Sequence, residues 1–84
     1  MVATILRVIG TETSVNNTGS TLSNAKLIRV YNQNVGDVLV TITNDAAAVV
    51  GTVTVKSGAV EYIAKAPTDT ISAATACKMV QVGF

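Results

Sequence analysis

Short runs of alternating apolar and polar residues, broken by turn formers roughly every ten residues, most limit what this chain can become. The clearest run is 38–43, where Val38, Val40 and Ile42 alternate with Leu39, Thr41 and Thr43. A period of two puts the first set on a core face and the second on a wet one. Runs at 3–10, 25–32, 52–56, 60–65 and 77–84 have the same character, and a short strand near 20–22 would make a seventh. Residues 44–50 are alanine-rich but too short for a stable helix on their own. They read as a hairpin loop with at most one helical turn. The expectation is all-β: a small single-domain β-sandwich or jelly-roll-like barrel of six to seven antiparallel strands, spanning 1–84.

Residues 58–74 organise the rest. A strand runs to Lys65, and Pro67 stops it, because proline offers the ladder no N–H and biases Ala66 to an extended conformation. Thr68, Asp69 and Thr70 can bond nearby backbone and fix a tight turn. Ile71 then carries the chain back to the core. Lys65, Pro67, Asp69 and Ile71 are therefore expected to form a structural turn. Ser57-Gly58 reads as the hairpin turn before it, and 72–76 as small and featureless. Asn and Gly in 32–37 are expected to supply positive-φ positions.

Side-chain alternation also assigns faces. Ile28 and Val30 share one face, as do Val53 and Val55. In the last strand Cys77, Met79 and Gln81 oppose Val80, Val82 and Phe84. In 3–10 neither face is wholly polar, which suits a strand central in a sandwich or paired with another subunit. Residues 11–24 are polar, with Val15 and Leu22 as the only large anchors. They read as a loop, a weak hairpin or an arm that orders against a partner, and loop or docking arm is the expectation.

Eighty-four residues with one cysteine and no histidine leave few ways to brace a small fold. Such a domain buries about 60–65% of the surface its unfolded chain exposes, and disulfides, metals or other subunits usually make up the difference. Elimination points to subunits. Only 13% of residues are charged and 49% are hydrophobic, which suits a life packed against other chains. A net charge of +1 gives no field for tracking phosphates. Arg29 and Tyr31, with Lys26 beside them, could form a base-stacking platform, but the chain has only three aromatic residues. Arg29 and Tyr31 are instead expected to face solvent or a partner, and Val15 and Leu22 to contact a partner.

Catalytic chemistry finds little footing. Without histidine there is no default general base near neutral pH. Glu12, Asp37, Asp45, Glu61 and Asp69 are scattered, mostly in or beside turns, and no calcium-loop spacing occurs. Cys77, two positions before Met79, reads as a small buried hydrophobe. No enzyme activity, cofactor, metal, nucleic acid or membrane is expected. Arg7 interrupts the apolar start and no signal-peptide pattern follows, which fits assembly in a cytoplasm.

Three segments together resemble short virion structural proteins of tailed bacteriophages, especially phages of marine bacteria. They are Ile28-Arg29-Val30-Tyr31-Asn32, then Gly51-Thr52-Val53-Thr54, then the stretch from Lys65 through Pro67, Asp69 and Ile71 to Ala73. The likeness covers 25–84. It implies a non-enzymatic virion component. The first choice is a capsid decoration (cement) protein bridging neighbours of the major capsid protein, with self-association expected. A small tail or fibre-associated subunit is the alternative, and a host-surface or nucleic-acid-binding module is a weaker one. No catalytic residues carry over.

Overall fold

The computed structural model describes residues 7–83. The expected strand residues at 3–6, and Phe84, lie outside them. Among the described residues seven strands follow one another: β1 Arg7–Val15, β2 Leu27–Tyr31, β3 Val38–Thr43, β4 Val49–Val55, β5 Val60–Ala64, β6 Thr70–Ala73 and β7 Cys77–Gly83. No helix occurs among the described residues. A four-stranded sheet has the order β1-β7-β2-β5, and a three-stranded sheet the order β4-β3-β6. Every pairing is antiparallel. The fold is a two-sheet all-β sandwich, as the alternation predicted.

Its core is what a period of two should give. Ile28 and Val30 from β2 meet Val38, Val40 and Ile42 from β3, with Ile71 and Ala73 from β6. Cys77 and Met79 complete the layer from β7, on the face assigned to them. Val80 and Val82 point out of the other side of β7 yet are also buried. β7 is an inner strand, and Arg29 and Val8 stand directly opposite these two residues in the flanking strands.

Several expectations need correction. The first strand does not stop at Gly10 but continues through the polar residues to Val15, so 11–15 are strand rather than loop. Backbone pairing to β7 outweighs their weak apolar content, and β1 lies at an edge of its sheet rather than in its centre. Ser72 and Ala73 belong to β6; small side chains hid a strand that is held by its pairing with β3. Ser57-Gly58 does not join a hairpin, because β4 and β5 lie in different sheets. Gly58, at φ 74°, instead turns a corner between the layers. Val53 lies on the core side but is 40% exposed, since β4 is the outermost strand there.

Turn chemistry departs from expectation too. No residue of 32–37 has positive φ; Leu22, Ser23, Asn24 and Ala47 do. At 44–48 there is no helical turn. Asn44 closes the loop by accepting the Ala46 and Ala48 amides on Oδ1, each at 3.0 Å.

Candidate interaction surface

The two ends of the sandwich are tied by polar side chains, and these explain which surfaces are left free. At one end Asn32 is fully buried. Its Nδ2 donates to the Gly36 and Val55 carbonyls, both at 2.9 Å. Its Oδ1 accepts from the Asn34 amide and from Asn34 Nδ2, also at 2.9 Å, and Asn34 Nδ2 reaches the Ala76 carbonyl. Every polar atom of the Asn32 side chain is satisfied, as burial demands. One residue thereby joins the end of β2 to the end of β4, and through Asn34 to the segment entering β7. The sequence marked Asn32 only as the start of a turn; its place directly after an apolar strand was the available signal.

At the other end stand Lys65, Pro67 and Asp69. Lys65 is almost buried, and its Nζ donates to the carbonyls of Ala25 (2.8 Å), Ala66 (3.2 Å) and Pro67 (3.4 Å). Burial pushes the amine's pKa below its usual value, and the Asp69 carboxylate opposes that shift. Asp69 accepts the Ala66 amide at 3.3 Å, while its own amide returns a bond to the Ala66 carbonyl. Ile71 is fully buried. Lys65, Pro67 and Asp69 form a latch that holds the chain entering β2, and Ile71 anchors the following strand in the core.

The expected partner contacts do not gather into one patch. Val15 is buried in the core of its own chain, which leaves it no surface for a partner. Leu22 is half-buried against the core and lines an open cleft of about 220 Å³ with Ile9, Gly10, Thr13, Ser20 and Gln81. That volume falls below the usual range for small-molecule sites, and its lining includes no charged side chain. Arg29 and Tyr31 are half-buried on the outer face of β2, and Arg29 makes an ion pair of 3.4 Å with Glu12. At such exposure the pair contributes at most about 1 kcal/mol. Among the described residues no cluster of three metal-ligating side chains occurs, and no helix is long and apolar enough to cross a membrane.

What remains is the sheet edges, because an edge strand presents unpaired N–H and C=O groups to any chain that can add to it. Among the described residues four edges exist, and three are blunted. β6 is covered by the chain's own 16–20 segment. Ser20 and Ile71 exchange two backbone bonds of 3.0 and 2.9 Å, and the Ala73 amide donates to Asn16 at 3.1 Å. β1 is interrupted by a register shift between Ile9 and Thr13 and carries Arg7 and Glu12. β5 has five residues with Glu61 among them.

β4 is different. Its seven residues, VVGTVTV, carry no charge and no proline, and six of the seven are exposed. Among the described residues it pairs only with β3. An irregularity at the Val49 end disturbs it, and from Gly51 to Val55 the register against β3 is continuous. This is the open edge of the molecule. Comparison of the chain with family models, curated proteins and solved structures finds no match.

Proposed function

We propose that this protein is a non-enzymatic structural subunit of a phage virion, most simply a capsid decoration protein that bridges and stabilises neighbouring capsid subunits. The observation that carries the structural role is the uncharged β4 edge, uncovered among the described residues, on a small domain with a single cysteine. Placement on a virion rests on the likeness of the three segments at 28–32, 51–54 and 65–73. The mechanism is physical: each docked copy adds buried area across a boundary between shell subunits. A standard protein contact buries about 1,600 Å², and repetition round a shell multiplies a modest energy per contact.

Quantitative mass spectrometry of purified particles of the encoding virus tests this reading. Hundreds of copies per particle support a head decoration protein. A few to a few dozen copies move it to the tail, and absence from the particle overturns it.

A further inference from the structure

We infer that β4 is a self-association edge: two copies pair β4 to β4 antiparallel about a two-fold axis through Val53. Two three-stranded sheets would then become one continuous six-stranded sheet. The inference does not depend on the virion reading, since it follows from the edge alone.

Charge selects a second copy as the occupant. In a two-fold pairing each residue meets its own kind or its mirror position, so a charge near the axis faces a like charge, which is destabilising. The other edges contain such charges in Arg7, Glu12 and Glu61; β4 contains none between Asp45 and Lys56. Centring on Val53 uses the regular stretch fully: Val53 faces Val53, Thr52 faces Thr54, and Gly51 faces Val55. Thr–Thr and β-branched pairs are favourable cross-strand neighbours. The two Val53 side chains, each 40% exposed on the core side, would cover one another. Lys56 would stand beside the exposed Val50 of the other copy, well away from its own counterpart.

Size sets the strength. Five residues of strand span about 17 Å, so the contact is smaller than the standard interface. The dimer should therefore be concentration-dependent rather than obligate.

Thr52 and Thr54 are exposed on the outer face, so they can be changed without touching the core. Sedimentation equilibrium from micromolar to millimolar chain should show a monomer–dimer equilibrium for the native protein. T52K/T54K places lysine against lysine and should weaken the dimer by at least about tenfold with an unchanged unfolding midpoint. T52K/T54E has the same two positions altered but pairs lysine with glutamate in this register alone, and should dimerise at least as well as the native chain. A native protein monomeric at millimolar concentration, or a T52K/T54K dimer as tight as the native one, overturns the inference. Loss of the dimer in T52K/T54E overturns the register.

Discussion

β6 and β4 flank the same central strand, β3, in the same sheet, yet they meet opposite fates. On β6 the edge groups of Ile71 and Ala73 are bonded to Asn16 and Ser20. On β4 nothing lies beyond the strand among the described residues. The covering segment is polar and has little apolar surface of its own, so its backbone bonds and the anchors on either side must hold it. Val15 enters the core before it and Leu22 packs after it. A polar stretch that looks fit for docking on a partner is thus used to close an edge of its own fold. The apolar strand that looks like ordinary core is the one left open.

Large-to-small changes should separate the two strands most widely. Ile71→Ala removes a fully buried side chain from β6 and should cost about 2–5 kcal/mol. Val53→Ala in β4 should cost under about 1 kcal/mol in the monomer, because the side chain is already partly in water. Denaturant titration measures both, and equal losses would erase the distinction between a closed and an open edge.

A matched pair of glycines sharpens the point. Gly19, at φ 82°, sits so close to β6 that an added Cβ would lie 3.3 Å from the Ile71 carbonyl and overlap the Thr70 methyl. Gly19→Ala should cost on the order of 2–3 kcal/mol from backbone conformation and displacement of the cover. It should also promote association, since β6 would become a second open edge. At Gly51 a Cβ meets nothing within 4 Å, so Gly51→Ala should be near neutral, within about 0.5 kcal/mol.

The smallest expected effect is the pH dependence contributed by Cys77, buried at the start of β7 in the other sheet. Burial raises its thiol pKa above the ordinary value of 9.0, so the folded chain keeps a proton that the unfolded chain releases. Its contribution is complete below pH 9.0 and is lost as pH rises through the higher folded value. Cys77→Ala should flatten that alkaline decline, and iodoacetamide should label the native thiol slowly and the unfolded one fast. Fast labelling of native protein would place the thiol outside the core.

Legibility in the sequence followed the strength of the alternation. β3 was readable to the residue because Val38, Val40 and Ile42 face a dry layer while their neighbours face water. The end of β5 was readable because Pro67 allows few backbone conformations, but the buried Lys65 amine bonded to Ala25 was not, since that contact is made across the fold. β6 was not, because Ser72 and Ala73 carry no signal beyond smallness and are strand only through β3. Residues 11–15 failed for the same reason: pairing with β7, far away in sequence, decides them. Asn32 shows a third limit. Turn propensity and a buried hydrogen-bond hub call for the same residue type, and only tertiary contacts tell them apart.

Hydrogen exchange followed residue by residue at two protein concentrations tests the central claim most directly. The amides of Ile71 and Ala73, bonded to the covering segment, should be protected equally in dilute and concentrated protein. Amides of 51–55 that point away from β3 should exchange fast in dilute protein and slow as concentration rises. Fast exchange at Ile71 and Ala73 would contradict the closed edge. Slow exchange along β4 already in dilute protein would contradict the open one, and fast exchange that does not slow with concentration would contradict the pairing of two copies.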